Sequence, residues 1–170
     1  MYGFSNLTEI TGPERSDIKY HNGCIYNSDY SKLIYWPSGK AYSEEGLKHN
    51  DSGICLVNEF GERSFSQNKL LESFTIPSTV TKLGEWVFYS TSIPSIKVHS
   101  NVTSIGNYAF YNLFSGCTSL TSAPELPSTS FGSNCYSNMF NGCTSLTSAP
   151  ELPSTTLSMH CYSKQSSLGY

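Results

Sequence analysis

The sequence predicts a strand-dominated α/β solenoid, in which short parallel strands are joined by turn or short-helix returns. Three observations carry this expectation. The fourteen residues Gly116–Thr129 (GCTSLTSAPELPST) recur unchanged at Gly142–Thr155, a spacing of 26. Upstream, Phe74, Ile76, Val80, Leu83, Gly84 and Phe88 are answered by Ile96, Val98, Val102, Ile105, Gly106 and Phe110 at a spacing of 22. Within each unit, apolar residues alternate over a short run that stops at Pro or a polar pair, as in a half-buried strand.

The units join into one series. Leu71-x-x-Phe74-x-Ile76-Pro77 answers to Ile93-x-x-Ile96-x-Val98. Leu120-x-x-Ala123-x-x-Leu126-Pro127 and Leu146-x-x-Ala149-x-x-Leu152-Pro153 follow with one extra residue. Proline has no N–H to give a ladder, so it marks the strand's end. The chain then returns through Val80, Leu83, Val87 and Phe88 at a spacing closer to helix or turn. No unit this short buries its apolar side alone, whereas stacked units do. Stacking places Phe74, Ile96, Ala123 and Ala149 in one inward column. Both periods lie in the roughly 20–29-residue range of leucine-rich repeats.

Ser73–Thr91 (SFTIPSTVTKLGEWVFYST) and Ser95–Asn112 (SIKVHSNVTSIGNYAFYN) resemble the repeat of the BspA-like, bacterial surface-antigen leucine-rich-repeat family. The tandem FSGCTSLTSAPELPST is similar to a longer variant of that repeat, and Phe4–Ile10 resembles the junction of two repeats. Asn22–Asp29 followed by Leu33–Gly39 resembles a β-hairpin inserted between repeats, and reads by itself as two strands around a polar turn. This organisation gives a partial repeat with an inserted hairpin at 1–40, a polar insertion or degenerate repeat at 41–70, repeats at 71–163 and a tail at 164–170. Between Ala41 and Leu70 no repeat can be threaded. No capping unit is legible at either end, so uncapped ends would favour self-association.

Composition narrows the function. Charged residues are 14% of the chain, against roughly 25% in ordinary domains, and 30 serines fill the gap. The net charge of −3 and the scatter of ten Lys and Arg residues argue against nucleic acid, which needs clustered cations. No apolar run reaches the length of a membrane span, and Met1–Ile10 lacks the basic start and apolar core of a signal peptide. The expectation is a piece of a longer exported protein, lying outside the cell or on its surface.

The chemistry-bearing residue types point away from catalysis, and neither a metal nor a cofactor is expected. Cys117, Cys135, Cys143 and Cys161 contain no C-x-x-C pair and recur because the repeat recurs. Stacking puts Cys117 over Cys143 and Cys135 over Cys161, as buried rungs or as coil-to-coil disulfides. His21, His49, His99 and His160 fall in unrelated contexts, without the base and carboxylate a nucleophile needs. Glu125 and Glu151 would form a solvated column.

The candidate binding face is the outward side of the strands: Ser73, Thr75, Ser95, Lys97, Thr121, Ser122, Thr147 and Ser148. Solenoids use such extended regular faces to bind macromolecules. The family resemblance implies contact with a protein or glycan on a host or neighbouring cell surface, that is, adhesion by a non-enzymatic module. The alternative is a structural spacer or truncated repeat fragment with no ligand of its own; the identity of the last two repeats favours a spacer.

Overall fold

The computed structural model describes residues 7–13, 15–91, 93–114, 118, 120, 121, 123, 130, 131 and 133–147. Each coil of the chain has three sides, and each side repeats in register on the next coil.

The first side is a sheet. Strands β1 (Ile18–His21), β2 (Cys24–Asn27) and β3 (Lys32–Tyr35) run antiparallel, and β3 then pairs in parallel with β4 (Glu59–Phe60). With β5 at Ser73–Thr75, β6 at Lys82–Leu83, β7 at Ser95–Lys97, β8 at Ser104–Ile105 and β9 at Ser130–Phe131, the ladder continues β4-β6-β8-β9. Alternation decides which residues face inward. Leu33, Phe60, Leu83 and Ile105 lie in one column and are all buried. Lys32, Glu59, Lys82 and Ser104 fill the outward column, where Lys32 and Glu59 form an ion pair.

The second side is a run of consecutive turns, and its hydrogen bonds alternate. Ser64, Ser66 and Asn68 donate N–H three residues back, to Gly61, Arg63 and Phe65. Arg63, Phe65 and Gln67 between them donate to Glu85, Val87 and Tyr89 of the next coil. Further on, Trp86 and Phe88 donate to Asn107 and Ala109, and Tyr108, Phe110, Asn112 and Phe114 to Ser133, Cys135, Ser137 and Met139. The alternation depends on a left-handed residue at every fourth position. Arg63, Gln67, Trp86, Ser90, Tyr108, Asn112, Asn134 and Asn138 all have φ between 53° and 62°. An α-helix would use these N–H groups within its own coil and leave the neighbouring coil unbonded. Inward from the turns runs an aromatic stack. Phe65, Phe88, Phe110 and Tyr136 follow one another with centroids 5.6, 6.0 and 5.5 Å apart. Phe114 and Phe140, the rings paired by the 26-residue period, lie 5.5 Å apart with planes 6° apart.

The third side holds β5 and β7, parallel with Phe74 opposite Ile96. It is continued by Ile76 N–H to Lys97 O and by Thr147 N–H to Thr121 O. Phe74 and Ile96 are buried, and Ala123 packs half-buried against the same core, as the inward column requires. Ala149 lies outside the described residues.

Two expectations need correction. The α component is absent among the described residues: the one helical element is a short 3-10 turn, Glu44–Gly46, capped by the Ser43 hydroxyl. The return instead carries its own strand and then the turns.

The stretch from 41 to 70, where no repeat can be threaded, contains a coil. Val57, Phe60, Gly61 and Phe65 occupy the places of Val80, Leu83, Gly84 and Phe88, and β4 sits in the ladder between β3 and β6. The glycine is what the eye could have followed. A Cβ on Gly84 would stand 2.6 Å from Glu62 N, one on Gly106 2.7 Å from Glu85 N, and one on Gly61 2.8 Å from Leu33 O. Coils approach too closely there for any side chain.

At the end covered by the N-terminal strands, β2 and β3 form an antiparallel pair. β2 and β3 flank residues 28–31, but β3 is itself the first rung of the parallel ladder. The segment that stands out from its coil is the hairpin Lys48–Leu56, closed by Asn50 N–H to Ile54 O and Leu56 N–H to Lys48 O. Trp36 donates to Ser64 O, and the buried Asn68 amide donates to the carbonyls of Pro37 and Lys40. Trp36 and Tyr42 thus cover Phe65 and Phe74 with apolar surface.

Candidate functional site

The outward strand face is built by β5, β7 and the two segments that extend them. Ser73 pairs with Ser95 and Thr75 with Lys97, so these positions lie in two columns one coil apart. The side chains of Thr75, Ser95, Lys97, Thr121 and Thr147 are exposed. Thr147 Oγ1 also donates to Thr121 O at 3.3 Å, which fixes the hydroxyl along the stacking direction. Ser122 and Ser148 lie outside the described residues. The five exposed side chains form a low-relief surface with one cation and several hydroxyls.

Thiols and histidines are dispersed. Cys24 and Cys55 are buried and free, and burial pushes the Cys24 thiol up to about 12. Cys135 and Cys143 are buried, and Cys143 donates its S–H to Phe114 O at 3.0 Å. Their expected partners, Cys161 and Cys117, lie outside the described residues, as do Glu125, Glu151 and His160. His99 holds the turn position of Pro77: Val102 donates to His99 O as Val80 does to Pro77 O. Among the described residues, no group of three or more His, Cys, Asp or Glu converges as a metal site. No described helix is long and apolar enough to cross a membrane.

A feature that the strand pattern did not single out lies on the turn side. Trp86-x-x-Tyr89 and Tyr108-x-x-Tyr111 are 22 residues apart, and all four rings are half-buried. Trp86 and Tyr108 stack at 4.4 Å with planes 9° apart, and the Arg63 guanidinium lies 5.1 Å from the Trp86 ring on the preceding coil. The Asn134 and Asn138 amides donate to the hydroxyls of Tyr108 and Tyr111. The repeat of a W/Y-x-x-Y pair at the established period was the available signal.

Stacked coils with strand ladders on two sides, turns on the third and a regular outward face define a leucine-rich-repeat solenoid. Residues 111–169 match the family model described as "BspA type Leucine rich repeat region (6 copies)". Upstream of that match the coils at 57–114 continue the same ladders. Among solved structures, the crystal structure of the pneumococcal vaccine antigen PcpA is similar in fold. It has a TM-score of 0.56 and 23% sequence identity, over 77% of this chain and 29% of that one. The chain therefore corresponds to less than a third of that structure's length. No curated protein matches the chain.

Proposed function

We propose that this chain is a non-enzymatic module of a cell-surface protein, and that its outward strand face binds a macromolecule, protein or glycan, of a host or neighbouring cell. The observation that carries the reading is the register of Thr75 with Lys97 on adjacent coils, both exposed, together with the exposed pair Thr121 and Thr147 bonded to each other further along the same side. Repeating short polar groups on a stiff surface offer donors and acceptors at fixed intervals, with little side-chain entropy to lose on binding. The BspA-type repeats and the likeness to a bacterial antigen support a surface setting.

The test is a matrix-protein and cell-surface glycan array probed with the full chain and with a Thr75→Ala/Lys97→Ala variant. Binding that the variant loses supports the reading. An array with no hits favours a second reading, a spacer, for which the unchanged recurrence of Gly116–Thr129 at Gly142–Thr155 speaks.

A further inference from the structure

We infer that the free edge of β5 takes up an extended, basic segment of another protein as an added strand. This surface is the edge of the third side, separate from the outward strand face, and it stands whether or not that face has a ligand.

A rung of the third side is missing. Val57 and Val80 hold equivalent places 23 positions apart, so the counterpart of Ser73–Thr75 one coil earlier falls at 50–52. Those residues belong instead to the hairpin Lys48–Leu56, which closes on itself through Asn50 N–H to Ile54 O. Among the described strands, β5 pairs only with β7.

The missing rung leaves main-chain groups open. In a parallel ladder a residue turns its N–H and C=O to one neighbour, and the next residue turns them to the other. Ile76 donates to Lys97 O, so Phe74 and Ile76 face β7. Ser73 and Thr75 therefore present their main-chain groups to the open side. The Tyr42 hydroxyl, which donates to Thr75 O at 3.2 Å, reaches it from that side. The Ser73 N–H, the Ser73 C=O and the Thr75 N–H find no partner there among the described residues. Sheet edges are ordinarily blunted by Lys, Pro or a bulge. Ser73-Phe74-Thr75 has neither residue type, and its register with β7 is unbroken.

The pattern of these groups selects a polypeptide. An N–H beside a C=O at every second residue is what another strand matches, and a glycan does not. Charge narrows the occupant further. Segments 41–47 and 70–76 meet at the Tyr42–Thr75 bond and carry Glu44, Glu45 and Glu72, all exposed, with no Lys, Arg or His. Burial pushes the Tyr42 phenol up, and Glu44 and Glu45 add to it, as carboxylates close to this edge do. The cations nearby in sequence are turned elsewhere. Lys40 and Lys48 lie over the rings of Trp36 and Tyr30, Lys69 donates to Ser90 O, and Lys97 stands one rung away. A strand bearing Lys or Arg gains attraction beyond its main-chain bonds, whereas an acidic strand is repelled.

The probe is an acetylated, amidated heptapeptide of alternating Lys and Val, titrated into the isotope-labelled full chain and followed by NMR. It should bind saturably at or below about 1 mM, and the Ser73 and Thr75 amides should shift and gain exchange protection. The same peptide methylated on every backbone nitrogen, and one of alternating Glu and Val, should each bind roughly tenfold more weakly or worse. Ser73→Pro removes one open donor at the first residue of an edge strand, where Pro is tolerated, and should weaken binding several-fold. Thr75→Ala/Lys97→Ala, the pair that tests the outward face, should not weaken it, so the two readings fail separately. Should Ser73→Pro not fold, protection of the two amides in the unaltered chain reads the same contact. No saturable binding by the basic peptide, equal binding by its methylated form, or binding that leaves both amides unshifted overturns the inference. So does concentration-dependent protection of those amides without peptide, which assigns the edge to a second copy of this chain.

Discussion

The ring of Tyr42 lies on the ring of Phe74, with centroids 3.9 Å apart and planes 24° apart, and its hydroxyl donates to the Thr75 carbonyl at 3.2 Å. One side chain thus covers the last aromatic ring of the core and satisfies an acceptor on the free edge of β5. Tyr42→Phe should lose only the hydrogen bond, about 1 kcal/mol. Tyr42→Ala should uncover Phe74 and cost about 3 kcal/mol. Urea unfolding of both variants checks the order, and equal midpoints would refute the covering role.

Gly84→Ala should destabilise the chain by about 1–3 kcal/mol. The added methyl would meet Glu62 N at 2.6 Å and Gly61 C at 2.7 Å, both backbone atoms that cannot swing aside. Thermal unfolding against the parent chain measures the loss. A midpoint unchanged within error would show that the coils stand further apart.

Asn68 is fully buried, and its amide holds the carbonyls of Pro37 and Lys40 at 3.0 and 2.9 Å. Pro37 O keeps the Lys40 N–H and Lys40 O keeps the Trp36 Nε1–H, but Asn68→Leu should leave the Leu70 N–H without the Asn68 Oδ1 it donates to, and cost about 1–3 kcal/mol for that one orphaned group. Faster amide exchange in residues 36–40 and 70 than in the Phe88 coil would locate the damage at this end.

Cys24 is held in its neutral form by burial, with the thiol pushed up to about 12. Between pH 9 and 12 the unfolded chain has released this proton and the folded chain has kept it. Stability should therefore fall as pH rises through that window. At pH 8 a thiol reagent should label Cys24 only as fast as the protein opens, and Cys24→Ser should reduce the slow phase by one thiol, since Cys55, Cys135 and Cys143 are buried as well.

Burial, and then the positive charges of Lys48 and His49, hold the His21 imidazole below its ordinary value of 6.5. The unfolded chain takes up this proton first as pH falls, so stability should drop on acidification below about 6.5. His21→Gln should flatten that acid limb. A stability profile unchanged by the substitution would count against it.

Much of the fold was legible because the core repeats in residue type. Phe88 and Phe110, or Phe114 and Phe140, are apolar at a fixed interval, and the structure stacks them. The coil at 57–68 escaped notice because its third side is broken. The hairpin Lys48–Leu56 interrupts the period before it, and polar Asn68 stands where Thr91 stands a coil later. Turn and helix could not be told apart on the return because both show apolar residues three to four apart, and only the backbone reveals the left-handed residues at Trp86 and Tyr108. The strand face could be read from alternation alone. The ring stacks of the turn side could not, because ring orientation has no signature in a sequence.

The alternating bonds of the turn ladder have a consequence for how such a chain can change length. Every donor that leaves one coil finds its acceptor at the same place on the next, so excising or duplicating a whole period returns an intact array. Loss of a single amino acid between Glu85 and Thr91 would instead exchange the N–H groups that bond within the coil for those that bond across it. Tolerance to insertion should therefore be quantised, generous at 22 or 26 residues and close to nil at one.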